Sequence, residues 1–202
     1  MKIIFLDFDG VITTYVSKWN ISLEHVKRVQ KICDVTGAKL VISSSWQRFG
    51  HKYETREERV KNWLDGIMMK EYKGAIKKFF KEYTYDMSGR FYGEFGNIRG
   101  SDIKSWLTRN PNVDNYVIID DESDMLDEQI FNFVQTDISF GIQDREVELC
   151  IDILNGVKPY NSFGLNDNIK FKYWVSLGHG KIDNFKEIVE KYNPWKNNTN
   201  AS

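Results

Sequence analysis

Cysteine, net charge and long apolar runs are all scarce in this chain, and each scarcity removes a class of function. The 202 residues hold two cysteines, Cys33 and Cys150, each inside an apolar-periodic segment and neither in a metal-spaced cluster. They read as small core residues of a reducing compartment, which argues against a zinc site or a disulfide framework. Lys plus Arg number 28 against 29 for Asp plus Glu, a formal net charge of -1. No global field draws such a chain to nucleic acid or to an anionic membrane, so any contact of that kind must come from a local patch. No apolar stretch approaches the roughly 20 residues that a membrane helix needs. Met1 leads directly into a strand-like segment, and a cytoplasmic protein is the expectation. Internal repeats and low-complexity linkers are missing too. At about 100–200 residues per domain, the length suits one main domain and an appendage.

What is present is organised around Lys2-Ile3-Ile4-Phe5-Leu6-Asp7-Phe8-Asp9-Gly10. Ile3 to Leu6 is an unbroken apolar run, the pattern of a strand buried on both faces of a parallel sheet. In open α/β sheets the ligand site lies just beyond the carboxyl ends of the strands, where Asp7 and Asp9 fall. Taken alone, an Asp-x-Asp-Gly is equally well two solvated acids at a strand edge.

The rest of the chain alternates strands with helices. Val11 to Asn20 reads as a small hairpin or flap over the first strand end. Ser22 caps a helix whose apolar positions are Leu23, Val26, Val29, Ile32 and Cys33, with Gly37 as its stop. Lys39 to Ile42 is a second buried strand, so the pair forms a βαβ unit, and it ends in Ser43-Ser44-Ser45-Trp46. Hydroxyls and amides at a strand end can hold phosphate oxygens without adding charge, although a serine triplet alone is more often a turn or cap. Thr55 and Glu58 match a capping box, opening a helix with Val60, Trp63 and Leu64 on one face and Gly66 as terminator. Ile67 to Met69 reads as a short third strand.

From Lys70 to Phe95 the character changes, with Lys70, Lys73, Lys77, Lys78 and Lys81 interleaved with aromatic residues. This is the one patch suited to nucleic acid. Ala75, Ile76, Phe79, Phe80 and Tyr83 keep helical spacing, so an amphipathic helix with an ordinary solvated basic face describes it as well. Ser88 to Gly93 is a turn-rich candidate for a substrate lip. Ser101 reads as the N-cap of a helix carrying Ile103, Trp106 and Leu107, which puts Arg99 beside a helix N-terminus, a place that favours an anion. Tyr116 to Ile119 is another buried strand and ends in Asp120-Asp121-Glu122-Ser123-Asp124. Adjacent carboxylates at a strand end repel, and a divalent cation would relieve the repulsion. Ser123 reads as the cap of a helix from Met125 to Asn132. Phe133 to Thr136 is a final core strand, followed by a helix burying Val147, Cys150, Ile151 and Leu154 and ending at Gly156.

Beyond Pro159 the alternation stops. A strand from Ile169 to Val175 and a helix capped by Asp183 form an appended β–α element, with His179 a lone loop histidine and Asn197 to Ser202 a polar tail. The expected architecture is α/β: a Rossmann-like parallel sheet with helices on both faces over residues 1–157, carrying an insert at about 70–95, and an appendage over 158–202.

Asp7/Asp9, Ser43, Arg99 and Asp120/Asp121 together resemble the motifs of the haloacid dehalogenase (HAD) superfamily. Those are an apolar strand ending in Asp-x-Asp, a strand ending in Ser or Thr, a Lys or Arg before a later helix, and an acidic strand end. Leu40 to Trp46, Arg99 to Ile103, Val117 to Asp121 and Phe133 to Asp137 are similar to the small HAD domains related to Swiss Army Knife RNA repair proteins. The resemblance covers about residues 1–156 and leaves Lys70–Phe95 and the chain after Pro159 unexplained. It implies a HAD-like sheet with a small cap or none. It also implies that Asp7 attacks phosphorus to form a phosphoaspartate, while Asp9 protonates the leaving oxygen and then activates water. Mg²⁺ would be held by Asp7, the Asp9 carbonyl and Asp120 or Asp121. Ser43, the better fit to the strand end, or Ser44 would bind phosphate oxygens together with Arg99. The motif usually holds Lys where Arg99 stands, which keeps the charge and changes the geometry. The implied function is a Mg²⁺-dependent phosphomonoesterase acting on a nucleotide or a phosphorylated nucleic-acid end. Its alternative is a non-catalytic phosphate-binding or interaction module on the same scaffold.

Overall fold

A computed structural model of the chain describes residues 1–49, 55–68, 72, 74–89, 98–157 and 191. Its centre is β1 (Lys2–Leu6), flanked by β2 (Lys39–Ile42) and β4 (Asn115–Asp120). β3 (Thr84–Met87) and β5 (Phe133–Gln135) complete the sheet in the order β3-β2-β1-β4-β5, with every pairing parallel. The period of two along each strand decides what covers each face. Ile4, Leu6, Leu40, Ile42, Val117 and Ile119 meet the buried sides of α1 (Leu23–Thr36) and α5 (Asp144–Leu154). Ile3, Phe5, Val41 and Ile118 meet Ile103 and Trp106 of α4 (Arg99–Arg109) on the other face. The unbroken apolar run of β1 is therefore the signature of a central strand covered on both sides. Full burial of each such side chain is worth about 1.5–3 kcal/mol.

α1 forms as its sequence predicts. Ser22 Oγ accepts from the His25 N–H at its start, and Gly37, at φ 71°, ends it in the left-handed conformation. Leu23, expected on the buried face, is 41% exposed, and His25 takes part in the buried face instead. Both cysteines are free and buried, and burial pushes both thiols up, Cys33 to about 12.

Several expected elements differ. Thr55 and Glu58 form the predicted capping box of α2 (Arg56–Trp63), but Gly66 does not terminate the helix. A π-turn over Leu64–Met68 runs through it, so the strand expected at Ile67–Met69 is absent at Ile67 and Met68, and Met69 lies outside the described residues. The edge strand is β3, which follows α3 (Ala75–Tyr83) and which the sequence hides because Asp86 interrupts it. Asp86 is nevertheless buried: Arg59 of α2 pairs with Oδ1 at 3.0 Å and the Trp106 indole donates to Oδ2 at 3.0 Å. A buried carboxylate held by two elements ties the edge of the sheet to α2 and α4.

Ser101 is not an N-cap. α4 starts at Arg99, and Asp124 caps it from outside, its Oδ2 accepting from the Arg99 N–H at 2.8 Å and its carbonyl from the Gly100 N–H at 3.1 Å. Ser123 caps no helix either, since only a 3₁₀ segment forms, at Asp127–Asn132. In place of a hairpin, residues 11–20 make tight turns with isolated bridges joining Thr13 to Asp9 and to Ile21. Lys18 and Trp19 there take positive φ values of 51° and 61°. Residues 90–93 of the expected lip lie outside the described residues, as do His179 and, Lys191 apart, the β–α element expected after Pro159. Among the described residues no helix is long and apolar enough to cross a membrane.

Asp86→Ala should cost about 2–4 kcal/mol in urea unfolding, because it leaves the Trp106 N–H unsatisfied and removes the Arg59 ion pair. Asp86→Asn keeps an acceptor for the indole and should cost less.

Candidate active site

The backbone ladder continues one residue beyond the central strands. Asp7 donates its N–H to Ile119 O at 3.0 Å, Ser43 to Leu6 O at 2.9 Å, Ser88 to Ile42 O at 2.9 Å and Thr136 to Asp120 O at 3.0 Å. The sheet thereby sets side by side the residues that leave it. Asp7 and Asp120 are 5% and 1% exposed, and an oxygen of each lies within 4.8 Å of an Asp121 oxygen and of the other.

Arg99 reaches into this group from the start of α4. Its Nη2 lies 3.4 Å from Asp7 Oδ1, its Nε lies 3.4 Å from Asp120 Oδ2, and its Nη1 donates to the Ser43 carbonyl. Both carboxylate contacts are long for charge-assisted hydrogen bonds, which are usually about 2.7–2.9 Å. The guanidinium is thus anchored by a carbonyl and shared loosely between two acids. Asp124, through its bond to the Arg99 N–H, fixes the backbone from which it extends.

Gly10 and Asp121 fit each other. A Cβ on Gly10 would stand 2.2 Å from Asp121 Cγ, and its φ of +70° is itself unfavourable for a side chain. Thr136 Oγ1 donates to the Gly10 carbonyl at 2.8 Å, and Gln135 Nε2 to the Asp121 carbonyl at 2.8 Å. The glycine of the Asp-x-Asp-Gly segment is therefore where the third carboxylate enters the cluster.

Asp9 is held apart from that cluster. Its Oδ1 accepts from Thr13 Oγ1 at 2.8 Å, and the Trp46 indole N–H spans both oxygens at 3.1 and 3.2 Å. Trp46 is itself fixed, its ring 5.3 Å from that of Phe8 and its carbonyl accepting from Trp63 Nε1 at 3.0 Å. Of the serines, Ser44 is the one that pulls the Asp7 carboxyl down, whereas the Ser43 hydroxyl lies 3.4 Å from Ser88 Oγ. Sequence reading missed Thr13, Trp46 and Asp124. Thr13 and Trp46 stand close to the motifs, but only the turn after β1 and the 3₁₀ segment Ser45–Phe49 direct them at Asp9.

The electrostatics follow from burial. Asp7 is pushed up to about 7, chiefly by burial, with Arg99 and Ser44 pulling it down and Asp9 raising it. Asp120 is raised well above the usual range by burial and then by Asp7, and burial lifts Asp121 to about 6. For Arg99, burial works against the charge, but Asp7 and Asp120 outweigh it and hold the proton more firmly. Three converging hard oxygen donors with one arginine leave a deficit of positive charge. This donor set fits a hard divalent cation such as Mg²⁺, whose charge would restore the ionised carboxylates.

A family model described as the HAD domain in Swiss Army Knife RNA repair proteins matches residues 3–147, a span that includes Asp7, Asp9, Ser43, Arg99, Asp120 and Asp121. No curated protein and no solved structure matches the chain.

The Asp7 carboxyl binds its proton more tightly when folded, at about 7 against an ordinary 3.8. Its contribution to stability is therefore largest below the ordinary value and falls as pH rises to about 7, by at most about 1.4 kcal/mol per pH unit. In EDTA, Asp7→Asn should gain about 1–3 kcal/mol on the wild type between about pH 5 and pH 8 in urea unfolding. Parallel pH profiles would contradict the buried, raised carboxyl.

Proposed function

Because the chain belongs to the family of HAD domains of Swiss Army Knife RNA repair proteins, we propose that it is a Mg²⁺-dependent phosphomonoester hydrolase working through a phosphoaspartate. The observation that carries this reading is the division between two acids one residue apart. Asp7 is buried against Arg99, while Asp9 is turned to Thr13 and Trp46. A nucleophile and an acid–base group need such different surroundings.

Asp7 attacks phosphorus with a carboxylate oxygen. As the ester bond breaks, the leaving oxygen takes a proton from Asp9, and Asp9 then takes a proton from the water that hydrolyses the phosphoaspartate. Arg99, loosely shared between Asp7 and Asp120, turns its N–H groups to the phosphoryl oxygens, and Ser44 and Ser43 supply further donors at the end of β2. Asp7, Asp120 and Asp121, with the Asp9 carbonyl, would hold Mg²⁺, which when bound offsets the charge of carboxylates and phosphoryl group. Thr13 and Trp46 keep Asp9 oriented between its two proton transfers. The substrate class that suits the family is a nucleotide or the phosphorylated end of a nucleic acid.

Phosphate release from p-nitrophenyl phosphate with Mg²⁺ tests the reading. Asp7→Asn should lower kcat by about 10³-fold or more, and EDTA should abolish turnover. Asp9→Asn should impair an alkyl phosphate more than this aryl ester, whose leaving oxygen needs less help from a proton. An inactive wild type, or wild-type turnover in Asp7→Asn, would overturn it. Mg²⁺-independent phosphate binding without turnover would favour a non-catalytic binding module.

A further inference from the structure

Away from the acid cluster, α2, its π-turn, α3 and the start of β3 enclose a groove of about 510 Å³. Arg56, Lys61, Lys77 and Lys81 line it, against Glu57 and Asp65. Glu57 is neutralised by Arg56 at 2.7 Å, whereas Lys61, Lys77 and Lys81 make no ion pair among the described residues. On a chain of net charge -1 this is a local positive field. Lys77 and Lys81 stand four residues apart on one helix face, where like charges repel. A polyanion in the groove would relieve that repulsion.

The groove is not purely cationic. Val60 and Leu64 give it an aliphatic surface, and Tyr85 carries the Arg56 guanidinium 4.2 Å from its ring centroid. Thr84 Oγ1, on the same wall, is buried without a hydrogen-bond partner. Cations beside aliphatic surface, one of them a planar guanidinium laid on Tyr85, match a ligand with phosphates and bases better than an acidic polypeptide, which offers charge without stacking faces.

β3 joins the groove to the candidate active site. It starts at Thr84 on the groove wall, and just past its end Ser88 Oγ lies 3.4 Å from Ser43 Oγ. Four strand residues put about 13 Å between the groove wall and the end of the strand, with Asp86, Met87 and Ser88 themselves buried.

We propose that this groove is a binding track for single-stranded nucleic acid, with Lys61, Lys77 and Lys81 on backbone phosphates and the Val60–Leu64 surface and the planar Arg56 guanidinium, itself backed by Tyr85, against a base. Its orientation, with the strand's terminal phosphate toward Asp7, rests on the phosphatase reading. The track itself does not.

The test compares the full-length wild type with K77E/K81E and with K27E, a charge reversal on the exposed side of α1, after thermal melts show that each is folded. Fluorescence anisotropy with an unphosphorylated single-stranded RNA should show affinity falling at least about tenfold in K77E/K81E, with the salt dependence reduced by about two counterions. K27E should bind like the wild type. The kcat/KM on a terminally phosphorylated RNA should fall in proportion, with that on p-nitrophenyl phosphate within about twofold of the wild type. Wild-type affinity and salt dependence in K77E/K81E would overturn the track and leave the phosphatase reading standing. Groove-dependent RNA binding by a protein that hydrolyses no phosphomonoester would do the reverse. Competition by poly-glutamate as effective as that by RNA would overturn the track in favour of an acidic protein partner.

Discussion

The site depends on one constraint: two buried carboxylates, Asp7 and Asp120, face a single arginine that holds neither tightly. Burial at the end of the sheet raises both carboxyls, Asp7 raises Asp120 further, and Arg99 only partly pulls the two back. On the proposed reading, a divalent cation and a phosphoryl group, one positive and one negative, would complete the pattern of three aspartates and an arginine.

The surrounding structure holds that unbalanced arrangement in place. Parallel ladder bonds fix the backbone of Asp7 and Ser43, and Asp124 fixes the start of the helix that carries Arg99. Gly10 makes room for Asp121, and Thr136 secures the Gly10 carbonyl. Thr13 and Trp46 hold the Asp9 carboxylate apart from the group formed by Asp7, Asp120 and Asp121. Stability is given up in the cluster and recovered in the apolar faces of β1, β2 and β4, which are covered on both sides.

Much of this is legible in the sequence because the central strands carry their own signature. Ile3 to Leu6, Leu40 to Ile42 and Val117 to Ile119 are unbroken apolar runs, and each ends in the residues of the site. The edge strand β3 is hidden because Asp86 breaks its apolar pattern, and only its long-range partners Arg59 and Trp106 make a buried acid tolerable there. Ser101 and Ser123 mislead for a related reason. A local cap rule cannot anticipate that Asp124, distant in sequence, caps α4. The roles of Trp46 and Asp121 are likewise tertiary, set by a 3₁₀ segment and by the space above Gly10.

The central claim is that Asp7, and not Asp9, becomes covalently bound to phosphorus. The most direct measurement uses Asp9→Asn, in which the proposed mechanism slows hydrolysis of the intermediate. The protein is mixed with radiolabelled phosphomonoester and Mg²⁺, quenched in acid, and the labelled residue is mapped by peptide mass spectrometry. Acid-stable label on Asp7, lost on treatment with hydroxylamine and absent from the Asp7→Asn/Asp9→Asn double variant, is the predicted result. Label on any other residue, or turnover with none on the protein, would contradict it.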